Sequence, residues 1–525
     1  VKRPEKINFG KKQPLNLDAA IDYSLHLAYN VKDGLYPFHI NDRRIIMGYK
    51  TKEWRKSMRV TVDYNNMMAK FLGERGIKDS ELRAIKGKAE EAFKYVDENR
   101  GNDELFMGWT ELPYNQTEIV ADILATAKEV RKNFKYFVVL GIGGSALGPS
   151  MVFNALCHLH HNELNSKARG GAPKFYVEDN VDPVRMKSLL DVIEPEKTCF
   201  NVISKSGATS ETMTQYLIIS DILTKAGVDL TKNMIFTTDA SRGNLIKIDQ
   251  SFGGKIKKYV LPDGVGGRFS ELCPVGLLPA AVLGIDIKGM LAGAAYMDSL
   301  CNKPSISSNP ALACAALMYI TMKQGKNIHV MMPYCDNLRL LSDWYCQLWA
   351  ESIGKQEDYD GNVVNAGTTP VKSLGVTDQH SQVQLYIEGP YDKVITFISI
   401  GKYACEMPIA HGCEDIPDVG FLGGHTMQEL IQAENKATAY ALMRAGRMNY
   451  TINVPEVNAF TLGQLMFLLE LQTAYAGAML NINTFNQPGV ENGKKATFAL
   501  LGKNGYEAKK AEIDSAPELD SKYIV

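Results

Sequence analysis

The chain has 525 residues, 45% of them hydrophobic, and its 58 Lys and Arg against 59 Asp and Glu leave a net charge of −1. That length allows several cores, roughly two to four domains, and the balanced charge supplies no global field for nucleic acid or an anionic membrane, so neither is expected as a partner. Nine cysteines with no C-x-x-C pair fit a reduced, cytoplasmic protein.

The opening stretch VKRPEKINFGKKQPLNLD carries charges but no apolar core for a signal peptide. It begins at Val1, so the encoded start is expected to lie elsewhere. Residues 15 to 115 read as helices and irregular connections, including ELRAIKGKAEEAFKYVDENRG with Gly101 as its C′ stop. Short apolar runs follow, FVVLGI, KFYVED, FNVIS, NMIFTTD and KKYVLP, alternating with helical stretches. That alternation predicts a parallel sheet covered on both faces. VGLLPAAVLGI (275 to 285) stops well short of a membrane span. The scheme recurs in NIHVMMPY, VITFISIG and NYTINVPEV as strands, with LRLLSDWYCQLWAESIGK, HTMQELIQAENKATAYALMRAG and AFTLGQLMFLLELQTAYAGAML as helices. The fold class is therefore α/β, two doubly wound parallel-sheet domains in three-layer αβα sandwiches, at 116–290 and 300–480. A helical N-terminal segment, 1–115, is expected to pack on the second domain. SLCNKPSISSNP (299 to 310) is the linker candidate, and 481–525 a polar C-terminal arm.

Two of the strands run into small, hydroxyl-bearing turns that open helices: FKYFVVLGIGGSALGP (134 to 149) and TCFNVISKSGATSET (198 to 212). Free N–H groups at a helix start make an anion site, and hydroxyls add neutral donors. In the first turn, Gly141, Gly143 and Ala146 also fit the G-x-G-x-x-A dinucleotide fingerprint. That fingerprint wants an acidic residue about 20 positions on, whereas here the next strand ends at Glu178 and Asp179. A phosphate cradle, a dinucleotide site and plain strand-on-helix packing all remain open for it. The second turn crowds Ser204, Lys205, Ser206, Thr209, Ser210 and Thr212 around Gly207. One N-cap needs one hydroxyl, and the excess suits a phosphate. A third turn, DGVGGRFSELCPVG, sets Arg268 after two glycines, offering a permanent cation where the backbone can approach a ligand. A cap or an ion pair is the competing reading.

For proton chemistry, Glu351 lies near the C-terminus of a helix beside Trp349 and Ala350, where the macrodipole disfavours a carboxylate and apolar neighbours would raise its pKa. That suits a general base, although most Glu are simply solvated. His380, in GVTDQHSQVQLYIEGP, is placed on a loop or element end, and Gln487 and Lys494 flank a turn at Pro488 and Gly489. The CHLHH run (157 to 161) reads as a polar helix end whose side chains spread around the helix, so no metal site is expected. There is no P-loop and no G-x-S-x-G elbow.

Five motifs in order, GIGGSALGP, SKSGATSET, GVGGRFS, ESIGK with upstream Gln347, and GAMLNINTFNQPGVENGKK, resemble the glucose-6-phosphate isomerase family over roughly residues 110 to 500. These are aldose–ketose isomerases of glycolysis and gluconeogenesis, built from two flavodoxin-like sugar-isomerase (SIS) domains. The resemblance implies that Gly144, Ser145, Ser204, Lys205, Ser206 and Thr209 bind the sugar phosphate, Lys205 mainly through its backbone. Arg268 with Gly267 would stabilise the anionic intermediate, and Glu351 would carry the proton between C1 and C2. It further implies that His380 and Lys494 assist ring opening, while Gln347 and Gln487 position the substrate. No cofactor or metal is implied. A homodimer with shared active sites is, His380 coming from the neighbouring subunit. Ser206 stands where many members have Thr, Pro488 where animal members have Trp, and Cys273 where Ser is common, which places the chain nearer bacterial forms.

Overall fold

The described residues include two five-stranded sheets and one long helix that is buried almost throughout. The computed structural model describes residues 49–525, so the expectations for the chain before Tyr49, the missing signal-peptide core and the first part of the helical segment, fall outside the described residues. The first strand, β1 (Thr61–Asp63), belongs to the second sheet.

The first sheet comprises β2 (Tyr136–Leu140), β3 (Lys174–Glu178), β4 (Thr198–Ile203), β5 (Met234–Thr238) and β6 (Lys257–Val260) in the order β3-β2-β4-β5-β6, every pair parallel. Every residue of β4 and β5 is buried, as strands covered on both faces require. The chain steps from β2 outward to β3, then reverses to β4. Loops leaving the C-terminal ends of β2 and β4 therefore border the crevice at a switch point, where open α/β sheets bind ligands. Those loops are the first two hydroxyl-bearing turns.

The second sheet repeats the winding with β7 (Ile328–Pro333), β10 (Thr369–Lys372), β11 (Lys393–Lys402) and β12 (Asn449–Glu456), while β8 (Lys355–Glu357) and β9 (Val363–Ala366) form a separate antiparallel pair. Its order is β1-β12-β11-β7-β10, parallel except for β1, which runs antiparallel with Thr61 opposite Asn453. The N-terminal segment thus adds a strand as well as helices. The sequence pattern does not reveal β1, β8, β9 or β10, because three or four residues cannot establish a period. β10 also holds Pro370, which only its edge position tolerates.

Helix Ala459–Met479 is buried around its whole circumference, with 19 of its 21 residues out of solvent. It packs against helices Lys86–Glu98, Ile287–Leu300, Pro310–Lys323 and Arg339–Ile353. Glycine makes the closest of these contacts possible: a Cβ on Gly293 would lie 1.9 Å from the Phe460 carbonyl oxygen, and one on Gly463 2.0 Å from that of Met290. The 299–310 stretch is a fixed corner. Asn309 is fully buried, donates to the carbonyls of Cys301 (2.7 Å) and Lys303 (3.1 Å), and caps helix Pro310–Lys323 by accepting from the Leu312 N–H. Helix Lys86–Glu98 closes at Asn99, and Gly101 takes its positive φ just beyond. None of the helices among the described residues is long and apolar enough to cross a membrane.

Candidate active site

The first turn joins the third by backbone contact. Gly144 opens helix Gly144–Leu156, and a Cβ there would sit 2.1 Å from the Gly267 carbonyl. A Cβ on Gly143 would likewise meet Gln347 Nε2 at 2.9 Å. Ser145, half-buried, follows directly. The absence of side chains at these glycines brings the β2 turn against both Arg268's loop and the helix that carries Gln347.

The second turn holds its hydroxyls in a small network. Ser204 Oγ accepts from the Gly207 N–H and shares a hydrogen bond with Thr209 Oγ1, both at 3.1 Å, and Ser206 Oγ accepts from the Ala208 N–H. Thr209 occupies the N-cap position of helix Ser210–Lys225, yet no side chain caps that helix. Its first N–H groups keep the character of an anion site. The Lys205 ammonium is committed elsewhere: it donates to the carbonyls of Pro262 (3.0 Å) and Asp263 (2.5 Å), with Val265 at 3.5 Å. Burial lowers its pKa, opposed by Asp263 and Asp239. Lys205 thereby ties the second turn to the loop that leads to Arg268.

Arg268 is 3% exposed, and all of its donor nitrogens are used. Nε donates to Ser352 Oγ (2.7 Å), Nη1 to Glu351 Oε2 (3.1 Å) and Gln487 Oε1 (3.0 Å), and Nη2 to the carbonyls of Thr484 (2.6 Å) and Asn486 (3.2 Å). Burial pulls its pKa below the usual guanidinium value and the Glu351 carboxylate opposes that. It remains a cation at any ordinary pH. One turn back along helix Arg339–Ile353, Gln347 Nε2 donates to Glu351 Oε1 at 3.0 Å. Glu351 thus receives one donor on each oxygen while its side chain stays 32% exposed, open to a ligand. Its surroundings are more polar than Trp349 and Ala350 alone suggest.

The inner face of that helix is pinned. Tyr345 shares a 2.9 Å hydrogen bond with His329 Nδ1 on β7, His329 Nε2 meets Thr396 Oγ1 at 2.7 Å, and Trp349 Nε1 donates to Thr368 Oγ1 at 2.8 Å. Burial pushes His329 down to about 3, so it serves as a neutral link.

The sequence model of the family described as phosphoglucose isomerase matches residues 124–518. The chain belongs to that family. A glucose-6-phosphate isomerase of Carboxydothermus hydrogenoformans is 51% identical over 457 residues, covering 87% of this chain and 97% of its own. One from Rubrobacter xylanophilus is 41% identical, covering 86% and 99%. Among solved structures, a hypothetical protein from Thermus thermophilus superposes with a TM-score of 0.75 at 34% identity, covering 85% of this chain and all of the other. A glucose-6-phosphate isomerase from Chlamydia trachomatis shares the fold, with a TM-score of 0.72 at 18% identity and coverage of 95% and 98%.

Of the residues singled out by resemblance to the phosphoglucose isomerase family, the fold joins Gly267, Arg268, Gln347, Glu351 and Gln487 directly, with Gly144 against Gly267. Ser204, Lys205, Ser206 and Thr209 form the adjoining turn. His380 is exposed on helix Thr377–Ser381, and its side chain makes no hydrogen bond among the described residues. Lys494 is exposed on helix Glu491–Leu500 and pairs with Glu491 at 2.8 Å. Neither bonds to Arg268 or Glu351 within the chain. The CHLHH run begins where its helix ends, at Leu156, and His161 is buried on the Pro173 carbonyl. Sequence reasoning overlooked Ser352, Thr484 and Lys355. Only Lys355 left a signal, a cation just past a helix C-terminus.

Proposed function

We propose that the cluster around Glu351 is the proton-transfer site of an aldose–ketose isomerase interconverting glucose 6-phosphate and fructose 6-phosphate. The carrying observation is the Glu351 carboxylate, held between Arg268 Nη1 and Gln347 Nε2 beside a hydroxyl-bearing helix start. The phosphate is received by Ser204, Ser206, Thr209 and the uncapped N–H groups of helix Ser210–Lys225. Ser145 and Gly144 border the sugar.

In the open-chain aldose, Glu351 removes the C2 proton, the electron pair moves to the carbonyl oxygen, and a cis-enediolate forms. The C2 hydroxyl proton passes to the C1 oxygen, and the same carboxyl group returns its proton to C1 as the electron pair comes back from the C2 oxygen, giving the ketose. Charge gathers on the oxygens as the barrier is crossed, and Arg268, already fixed and dehydrated, meets it without reorganisation. Gln347 and Gln487 orient the carboxylate and the guanidinium. Ring opening is assigned to His380 with Lys494. As both lie outside the cluster of one chain, a homodimer in which a neighbouring copy's His380 reaches across completes the site. The reading implies a glycolytic role in the cytoplasm.

Incubation with fructose 6-phosphate in deuterated water tests the assignment, following aldose formation and deuterium at C2. Aldose with partial label supports proton transfer by Glu351. Absence of any aldose overturns the assignment.

A further inference from the structure

Lys355 is the first residue of β8, immediately after the glycine that ends helix Arg339–Ile353. It is 7% exposed, and its ammonium turns back on the helix, donating to the carbonyl of Glu351 and, at 3.0 Å, to that of Ser352. These are among the last four carbonyls, which a helix cannot satisfy internally, and the Gly354 N–H serves the Ala350 carbonyl. Ser352 is therefore gripped twice, at its main chain by Lys355 and at its hydroxyl by Arg268.

We infer that Lys355 is a positioning residue which, by fastening the main chain of Glu351 and Ser352, keeps the carboxylate and the Arg268 guanidinium in register for proton transfer. The inference rests on the reading of Glu351 as the proton carrier. The charged groups facing the ammonium are Arg268 and Glu351. Burial, aided by Arg268 and opposed by Glu351, brings the Lys355 pKa down to about 8. The lysine is a cation below that pH and loses its charge above it, so the helix end, and with it kcat, weakens on the alkaline side.

Three variants test this. Lys355→Met should lower kcat roughly 10- to 100-fold, the size of effect expected from a small misplacement of a base, with KM for fructose 6-phosphate changed less than about threefold. Lys355→Arg, whose cation does not titrate, should rescue kcat to within about tenfold of wild type and abolish the alkaline decline near pH 8. A helix cap with no catalytic bearing would lower thermal stability and leave the pH profile in place. A Lys355→Met enzyme within about twofold of wild-type kcat, or an unmoved alkaline limb in Lys355→Arg, overturns the inference. Should the Met variant not fold, the Arg profile decides. Glu351→Gln is assayed alongside: turnover in it would fell the reading of Glu351 and this inference together, whereas an inactive Glu351→Gln beside an unimpaired Lys355→Met would fell this inference alone.

Discussion

Arg268 Nη1 lies 3.1 Å from Glu351 Oε2, which pairs the buried cation of the site with its half-buried carboxylate across 83 residues of sequence. Two adjacent groups of opposite charge hold each other in place. Glu351→Gln keeps the shape and the hydrogen bond to one oxygen but cannot take a proton from carbon. It should lower kcat by at least ~10²-fold, with inhibition by inorganic phosphate little changed. Near wild-type turnover would remove Glu351 from the mechanism.

Arg268→Lys retains a positive charge and loses the fork. A single ammonium cannot serve Ser352, Glu351, Gln487 and two tail carbonyls together. A fall in kcat of about 10²- to 10³-fold is expected, the scale of removing a preorganised donor. The tail after Thr484 should also be cut faster by protease, and unchanged cleavage would mean that Arg268 does not hold it.

A third expectation concerns packing. Gly144→Ala drives a methyl group into the Gly267 carbonyl, 2.1 Å away. The two backbones must part, at a cost of about 1–3 kcal/mol, typical of overpacking. The first turn and Arg268 then separate, so kcat/KM should drop about tenfold or more, which steady-state kinetics and denaturant titration would read together. Stability and kinetics both equal to wild type would contradict the contact.

Glu271 and Glu470 are both buried, with both oxygens of the first and Oε1 of the second lacking a partner among the described residues. Burial raises both pKa values well above the usual carboxyl range, and for Glu470 the charge of Glu271 adds to the rise. With the folded value above the unfolded one, the contribution is fully present below about pH 4.5 and is lost as pH rises toward the folded value, at about 1.4 kcal/mol per unit for each group. Glu271→Gln removes that loss. Its unfolding free energy relative to wild type should climb as pH rises above about 5, and a difference independent of pH would show that Glu271 is not held protonated.

An active site shared between two subunits has a stoichiometric consequence. Glu351→Gln and His380→Ala homodimers should each be inactive. Co-refolded in equal amounts, half of the dimers carry one intact site, restoring roughly a quarter of wild-type activity. Recovery of none would place His380 outside a shared site.

Much of this arrangement is legible in the sequence. The apolar runs at β2, β4, β5, β7 and β11 are long enough to declare buried parallel strands, and a turn rich in glycine and hydroxyls after a strand declares its own chemistry. Ser352 and Thr484 are different, since their importance comes from an acceptor atom that happens to face Arg268 from 84 and 216 residues away. For Thr484 that atom is a backbone carbonyl, which every residue type offers. Short strands such as β1 escape for another reason: pairing with β12, and no intrinsic pattern, makes them strands.

The bonds from Arg268 to Thr484, Asn486 and Gln487 also bear on how the protein comes into being. During synthesis the N-terminal part of a chain emerges and folds first. Both sheets can form from residues up to Glu456, yet the guanidinium has no complete set of acceptors until residue 487 is available, 219 positions after Arg268 itself. A nascent chain carrying both sheets but not yet residue 487 therefore lacks the tail acceptors of Arg268, and the proposed active centre cannot assemble until that residue has emerged.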